Sequence, residues 1–316
     1  MKAISVKGIH KTYPSNGKGK PVHALKGIDL EVEEGAVFSI LGPNGAGKTT
    51  LISILTTLLY PDEGRGMIGG FDLLRQRNKI REVVNITSGN ANFTDHFSIV
   101  ENLNYYGMLY GMPKSLRRSK IESLVKTFEL SSFRETPFNQ LSTGLKQRLA
   151  LSKSLMNSPR ILFLDEPTVG LDPQICKTIR LMLKEINRRD RLTIILTTHQ
   201  MDEAEFLSDR IAFLREGTII AEGKPEELKR RIRSREIIEI QYGGVLPGSD
   251  RLASIEGVFK VEMREDHITF SVDDPGKSLD PLIRTLTSEP RIVIKDIHIR
   301  EADLEDVFLE LAKTPD

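Results

Sequence analysis

A glycine-rich stretch between a short apolar run and a helical pattern carries the clearest chemistry in this sequence. Residues 42–49 read GPNGAGKT and match the pattern G-x-x-x-x-G-K-[ST]. Glycines let the backbone curl so that successive N–H groups point at phosphate oxygens, and the N-terminus of the following helix adds its dipole. A plain turn between a strand and a helix is the simpler alternative. We predict a nucleotide-binding loop made of Gly42, Pro43, Asn44, Gly45, Ala46, Gly47, Lys48, Thr49 and Thr50.

Two adjacent carboxylates after a second apolar run supply the groups needed for hydrolysis. Residues 161–166 read ILFLDE and end in Asp165 and Glu166. A parallel strand presents its ligand-facing residues at its carboxyl end, so Asp165 can meet a Mg²⁺ ion held by the Thr49 hydroxyl. Lys48 can reach the β- and γ-phosphates of a nucleotide as a point charge, and Glu166 can polarise the attacking water. A solvated acidic turn is the alternative for the two carboxylates.

The elements that must position these groups alternate between strand and helix. Short apolar runs predict buried strands, and apolar residues at helical spacing predict the helices between them. This order is typical of a parallel α/β sheet, whose carboxyl edge would carry the reactive residues. The predicted elements are strands at 28–32, 36–41, 161–164 and 193–197, helices at 48–59 and 177–187, a mainly helical stretch at 85–160, and a hairpin of 211–214 with 218–221.

A basic run divides the chain into two predicted domains. Residues 229–235 read KRRIRSR, which we interpret as a solvated linker, with contact to anionic lipid headgroups as the alternative. The pattern beyond it runs βαββαβ, which is the ferredoxin-like order, and ends in a helix for which Asp303 is the predicted N-cap. We therefore predict a nucleotide-binding domain over 1–228 and an accessory α+β domain over 236–316.

Composition limits the classes of protein that fit. With 45 basic and 44 acidic residues among 316, the net charge of +1 provides no general attraction to nucleic acid. The single cysteine, Cys176, excludes an internal disulfide and a multi-thiolate zinc site. No apolar run reaches the roughly 18 residues of a membrane-spanning helix, and the N-terminus lacks the pattern of a secretory signal. We therefore expect a cytoplasmic protein that does not cross a membrane by itself.

Three more motifs stand in a fixed order around the two already described. They are LSTGLKQR at 141–148, VGLD at 169–172 and Thr-His at 198–199. The ordered set closely resembles the nucleotide-binding subunits of ATP-binding cassette (ABC) transporters over roughly residues 2–225. The resemblance implies an α/β fold of the P-loop NTPase class, with a mixed sheet core and a helical subdomain over about 87–160.

The resemblance also implies an ATP site that two protomers share. In that family the subunits associate head to tail, and the loop matching residues 141–147 closes over ATP bound to the partner's phosphate loop. Ser142 and the Gly144 backbone are then expected to contact the γ-phosphate in trans, helped by a helix N-terminus. Asp172 is expected at the dimer interface.

Two further residues receive roles from the resemblance on the same protomer as the phosphate loop. Tyr13 matches the aromatic residue that stacks on adenine, with an ordinary surface or core aromatic as the alternative. His199 is expected to touch the γ-phosphate and to hold the water and Glu166 in register. A structural histidine at a strand end is the alternative for His199.

The sequence departs from the family pattern in two places. The family usually has LSGGQ, and here Thr143 and Leu145 replace a glycine and the glutamine. A loop about forty residues after the family's lysine normally carries a glutamine that meets Mg²⁺ and the transmembrane partner. Residues 86–93 contain no glutamine. Asn90, 42 residues after Lys48, is the nearest substitute, with the same amide on a side chain one methylene shorter.

The C-terminal segment points to a subfamily. Residues 301–311, EADLEDVFLEL, resemble the ending of ATPase subunits from ABC-2-type exporters of drugs, sodium and polysaccharides. Such subunits carry a small accessory domain after the cassette. That domain either stabilises the cytosolic dimer or senses a ligand.

The leading hypothesis is an ATPase that energises export through separate membrane-spanning permease subunits. It would bind ATP and Mg²⁺, form a homodimer or heterodimer, and lie on the cytoplasmic face of the membrane. A soluble ABC ATPase acting on nucleic acid or ribosomes is the alternative, disfavoured by the single phosphate loop and single cysteine. A regulatory module without turnover is disfavoured because Glu166 and His199 are both present. The transported substrate stays open.

Overall fold

A computed structural model describes residues 1–14, 20–87, 92–230, 236–244, 249–264, 266–288 and 292–313, and in it the chain forms two units. The units are Met1–Lys224 and Pro225–Asp316. The predicted end of the first domain at 228 lies four residues after this division (228 − 224). Residues 231–235 of the predicted linker lie outside the described residues.

The strands of the first unit form two sheets. The central sheet has the order β10-β9-β3-β8-β7-β6, and the second sheet has the order β2-β1-β4-β5. The strands are β1 Lys2–Tyr13, β2 Val22–Glu33, β3 Val37–Leu41, β4 Glu63–Ile68, β5 Phe71–Asp72, β6 Val84–Thr87, β7 Ile161–Asp165, β8 Thr193–Thr198, β9 Arg210–Arg215 and β10 Thr218–Gly223.

Parallel pairing of the central strands confirms the predicted sheet. The pairs β6–β7, β7–β8, β8–β3 and β3–β9 are all parallel, and β10 closes the edge as an antiparallel hairpin with β9. Parallel strands end at the same edge of a sheet. The glycine-rich loop after β3, the carboxylates after β7 and the Thr-His pair after β8 therefore meet at that edge.

The central sheet is buried on both faces. Successive residues of a strand point to opposite sides, so Ile161 and Phe163 join one hydrophobic core and Leu162 and Leu164 join the other. Burial on both faces explains why these strands read as unbroken apolar runs in the sequence.

The antiparallel sheet contains strands that the sequence pattern did not predict, β1, β4 and β5. In β1 the register shifts between Val6 and Ile9, around Gly8 at φ 61°. Val6 and Ile9 are both fully buried although they stand three residues apart. This bulge interrupts the strict alternation of period two by which a strand is recognised.

The helices of the first unit pack on both sides of the central sheet. Those of the predicted helical subdomain share one core with the face of the sheet that carries Leu162 and Leu164. The helices are α1 Lys48–Leu55, α2 Arg77–Val83, α3 Ile99–Leu109, α4 Lys114–Thr127, α5 Thr143–Ser154, α6 Pro173–Asp190 and α7 Met201–Leu207.

The helix after the phosphate loop is shorter than the sequence pattern predicts. It ends at Leu55 rather than at residue 59. Thr57 has a left-handed backbone, φ 63°, and its hydroxyl accepts a hydrogen bond of 2.9 Å from Arg81 Nε. A left-handed residue cannot continue an α-helix, so Leu58 leaves the apolar face and is 66% exposed.

The second unit has the predicted ferredoxin-like order. Its sheet runs β12-β13-β11-β14, and the three pairs of strands are antiparallel. One face is covered by α9 and α10 through a core that includes Ile240, Phe270 and Leu282. The elements are α8 Pro225–Lys229, β11 Glu236–Gly243, α9 Ser249–Ala253, β12 Val258–Met263, β13 His267–Val272, α10 Pro275–Thr287, β14 Val293–Glu301 and α11 Leu304–Lys313.

Asp303 caps the last helix, as the sequence predicts. Its Oδ1 accepts hydrogen bonds from the backbone N–H groups of Glu305 and Asp306, at 2.8 and 3.1 Å. Arg300 then ties this helix to the sheet, since it donates to Asp306 Oδ2 at 2.7 Å and to Glu239 Oε1 at 2.9 Å. Among the described residues, no helix is both long and apolar enough to cross a membrane.

Arg300→Met should destabilise the second unit. The methionine keeps the apolar stem but leaves Asp306 and Glu239 without their shared cation, so we expect the free energy of unfolding to fall by about 1–3 kcal/mol. Denaturant unfolding followed by circular dichroism measures it. Arg284→Met is the matched control, because its ion pair with Asp280 is largely exposed and its loss should cost less than about 0.5 kcal/mol. Equal losses in both variants would contradict a structural role for Arg300.

Candidate functional site

The phosphate loop links β3 to α1 with a backbone that requires glycine. Gly45 and Gly47 lie in the left-handed region at φ 82° and 109°, and Gly47 is the residue before the first turn of α1. Gly42 is restricted by space instead, because an added Cβ would lie 2.2 Å from the carbonyl oxygen of Leu214 on β9. The loop therefore leads straight into a helix N-terminus, where backbone N–H groups can bind phosphate.

Lys48 is buried beneath this loop, with only 5% of its side chain exposed. Its ammonium group donates to the carbonyl oxygens of Gly42 and Pro43, at 2.7 and 3.2 Å. It also lies 3.5 Å from Glu166 Oε1. The lysine charge is thus placed between the phosphate loop and the carboxylate that follows β7.

Asp165 and Thr49 form the oxygen pair predicted to hold Mg²⁺. The Thr49 hydroxyl donates to Asp165 Oδ2 at 3.3 Å, and the Thr197 hydroxyl donates to Asp165 Oδ1 at 2.5 Å. The described residues contain no group of three or more His, Cys, Asp or Glu side chains arranged as a metal site. A single carboxylate with a hydroxyl fits Mg²⁺, which takes its remaining ligands from water and nucleotide phosphates.

Glu166 and His199 meet across the ends of β7 and β8. Glu166 has a left-handed backbone, φ 50°, and its N–H donates to the Thr197 carbonyl at 3.0 Å. Its Oε1 lies 3.4 Å from His199 Nδ1, so this oxygen is shared between the imidazole and the Lys48 ammonium. Both side chains are partly exposed, 27% for Glu166 and 45% for His199, so solvent reaches both of them.

Tyr13 lies at the rim of the same site. Its hydroxyl is 3.4 Å from Thr50 Oγ1, and the residue is 40% exposed. A cavity of about 550 Å³ is lined by Tyr13, His23, Thr50 and Glu166 together with the phosphate loop. This volume suits a nucleotide-sized ligand, so the structure brings the predicted adenine and phosphate contacts into one cavity.

Ser142, Gly144 and Asp172 form a second cluster. Ser142 caps α5, with its Oγ accepting from the Leu145 N–H at 3.4 Å. Gly144 lies against Ile175 of α6, where an added Cβ would come within 2.8 Å of Ile175 Cδ1, and Asp172 precedes α6. The described lining of the nucleotide cavity contains none of the three. Asn90, the predicted substitute for the family's glutamine, lies outside the described residues.

Thr197 is a site residue that sequence reasoning missed. It is fully buried, stands directly opposite Asp165 in the parallel ladder, and contacts both carboxylate residues. The signal that could have found it is its position in the strand before His199, because neighbouring parallel strands place such residues side by side. Two adjacent threonines at a strand end look like ordinary strand formers in the sequence.

The fold and this site define a P-loop NTPase, in which a strand, a phosphate loop and a helix face a strand that ends in two carboxylates. Comparison with known proteins narrows the class. An ABC transporter family model matches residues 25–169. A model for the C-terminal domain of DrrA1-3-like ATP-binding proteins matches residues 223–312.

Individual relatives match nearly the whole chain. The daunorubicin resistance ATP-binding protein DrrA3 of Streptomyces coeruleorubidus is 34% identical over 98% of this chain and 95% of its own length. The Nod factor export ATP-binding protein I of Ralstonia nicotianae is 33% identical over 98% of this chain and 93% of its own length. The ATP-binding cassette MJ0796, solved as a dimer in a post-hydrolysis state with ADP and Pi, matches with a TM-score of 0.63 at 31% identity, over 70% of this chain and 98% of that chain.

The chain belongs to the ATP-binding subunits of ABC transporters, in the branch with a DrrA-like C-terminal domain. It binds ATP, and it is an ATPase whose hydrolysis is coupled to transport. The predicted family, fold class and ATPase function are confirmed, and the nucleic-acid alternative finds no support among these relatives.

Thr197→Val should slow ATP hydrolysis while leaving the fold intact. Valine keeps the shape of threonine, but it removes the hydroxyl that bonds Asp165 and the Glu166 backbone. Loss of a hydrogen bond to a charged group costs about 1.5–3 kcal/mol, which corresponds to roughly 10- to 100-fold in kcat if the carboxylates are displaced. Phosphate release measures the rate. Thr197→Ser, which keeps the hydroxyl, should stay near the wild-type rate, and equal losses in both variants would exclude the hydrogen bond as the cause.

Proposed function

We propose that this ATPase powers export through a separate membrane-spanning permease, with ATP enclosed between two cassettes that associate head to tail. The observation that carries the proposal is the division of the predicted site. Tyr13, Lys48 and Glu166 share one cavity, whereas Ser142 and Asp172 belong to a different cluster of the same chain. A second protomer turned by a two-fold axis can bring the missing cluster to each cavity.

Hydrolysis on this site depends mainly on positioning and charge neutralisation. The loop N–H groups and the Lys48 ammonium hold the phosphates and balance their negative charge. Glu166 Oε1, fixed between His199 and Lys48, accepts the hydrogen of a water and orients it toward the γ-phosphorus. His199 keeps that carboxylate in register and contacts the γ-phosphate. Tyr13 stacks on the adenine ring.

Thr49 and Asp165 would hold Mg²⁺ next to the phosphate loop. The oxygen pair fits the ion, and Thr197 keeps the Asp165 carboxylate oriented. When bound, the ion neutralises charge on the β- and γ-phosphate oxygens. Asn90, which lies outside the described residues, is the proposed substitute for the family's glutamine.

An exposed apolar patch at the end of α3 is the evidence in this chain for a partner in the membrane. Tyr105, Met108, Leu109 and Tyr110 are all exposed there, on the helical subdomain that follows the Asn90 segment. A contiguous exposed apolar patch marks a protein-interaction site. Docking of a permease on this patch would place the protein on the cytoplasmic face of the membrane. Two relatives are named for drug resistance and for Nod factor export, which favours export as the direction.

Glu166→Gln should retain ATP binding and lose hydrolysis. Glutamine keeps the size and one oxygen but cannot act as a base, so we expect turnover to fall on the order of 10²–10⁴-fold. Phosphate release gives the rate, and fluorescent-nucleotide titration gives the affinity. Glu216→Gln is the control, since Glu216 lines the same cavity and has no proposed part in the chemistry. Near-normal turnover of Glu166→Gln would remove Glu166 from the role of base.

Mixing two inactive variants should restore activity if the site is shared between protomers. Lys48→Ala loses ATP affinity at its own phosphate loop, and Ser142→Glu places a carboxylate where the partner's γ-phosphate is expected. Each variant alone should be inactive. In an equimolar mixture about half of the dimers are mixed, and one of the two sites in each mixed dimer is intact. The mixture should therefore recover about a quarter of the wild-type activity. Phosphate release of the mixture measures the recovery. Absence of recovery, with mixed dimers demonstrated by differential tagging, would contradict the shared site.

A further inference from the structure

A buried polar network joins the loop after β7 to the start of α7, on the far side of the hydrolytic pair. Thr168 stands two residues after Glu166, and Glu203 stands four residues after His199. The Thr168 hydroxyl donates to Glu203 Oε1 at 2.7 Å, and both residues are only 1% exposed. The two loops that carry the hydrolytic residues are therefore connected a second time, beyond the strand ladder.

Arg180 of α6 completes this network. Its guanidinium donates to Gln200 Oε1 at 2.9 Å and to Asp202 Oδ2 at 2.7 Å, and its Nε lies 3.7 Å from Glu203 Oε1. The side chain is 13% exposed. All three partners belong to residues 200–203, which directly follow His199. One cation thus holds the whole segment after the histidine, with the planar fork that only arginine offers.

A contribution to folding stability does not explain the buried network of Thr168, Arg180 and Glu203. Burial raises the pKa of the Glu203 carboxyl, and the nearby charge of Asp202 raises it as well. Hydrogen bonds from the hydroxyls of Thr168 and Thr198, and the charge of the Arg180 guanidinium, act in the opposite direction. A buried ion pair contributes little net stability, because desolvation offsets the attraction. Such a pair does define the geometry of the groups that it joins.

The network can fix the position of His199 relative to Glu166. Their separation of 3.4 Å is at the outer limit of a hydrogen bond. A displacement of 1 Å in a reacting group can cost about 100-fold in rate. The segment that carries His199 must therefore be fixed by something outside the pair.

We propose that Arg180 and Glu203 are positioning residues for ATP hydrolysis, which hold His199 against Glu166 and connect it to the helix that begins after Asp172. The inference rests on the proposed roles of Glu166 and His199. Because α6 begins directly after Asp172, the residue expected at the dimer interface, Arg180 links the approach of a second protomer to the position of the histidine.

A double-mutant cycle with His199 tests the proposal. Arg180→Met should lower kcat for ATP about 10- to 100-fold with KM within about twofold of wild type. The kcat of Arg180→Lys, which keeps the charge but not the planar fork, should lie between that of the wild type and that of Arg180→Met. In a His199→Ala background, Arg180→Met should lower the remaining kcat by less than about twofold, because the residue acts through the histidine. Arg189→Met is the matched control, since Arg189 lies on the same helix in an exposed pair with Asp190.

Two results would overturn the proposal. One is an equal loss from Arg180→Met in both backgrounds, and the other is no loss in the wild-type background although His199→Ala alone is impaired. If His199→Ala alone turns over normally, the proposed role of the histidine fails instead, and the two failures are distinguishable. Should Arg180→Met not fold, Glu203→Gln replaces it in the same cycle, because it keeps the volume and an acceptor for Thr168 while removing the charge that Arg180 meets.

Discussion

Parallel pairing of β3, β7 and β8 is the constraint on which the site depends. It sets Leu41 beside Thr198 and Asp165 beside Thr197, so that three separate loops leave the sheet at one edge. The sharing of Glu166 Oε1 between Lys48 and His199 depends on that register. A slip of one residue would turn the side chains to the opposite face, and the hydrophobic cores on both faces of the sheet prevent it.

The phosphate loop also depends on elements distant from it in sequence. The β9–β10 hairpin lies against it, since the Leu214 carbonyl excludes any side chain at residue 42 and the Gly217 N–H donates to the Ala46 carbonyl at 3.0 Å. Gly217 in turn accepts from the Lys26 N–H of β2 at 2.8 Å. The loop is thereby held in a conformation ready to bind phosphate, which lowers the ordering cost when ATP binds.

The predicted site residues lie in two places on the chain, since Tyr13, Lys48 and Glu166 line one cavity whereas Ser142 and Asp172 precede α5 and α6. In the proposed dimer, a site that is complete only when two protomers approach would couple ATP to the motion of whole subunits, which a permease can use. Within one protomer, α6 begins directly after Asp172 and carries Arg180, so the same helix connects the proposed interface residue to the segment after His199. The second unit keeps its own core and its own capped final helix.

The sequence by itself determined the phosphate loop, the two carboxylates, the parallel α/β order and the ferredoxin-like second unit, because each depends on local spacing or on long apolar runs. It did not reveal β1, whose alternation is broken by the bulge at Gly8, or the early end of α1 at Leu55. Thr197 and the Arg180 network were decided only by the tertiary structure. Their partners lie 20 to 35 residues away in the chain, and their function comes from which strands and helices become neighbours.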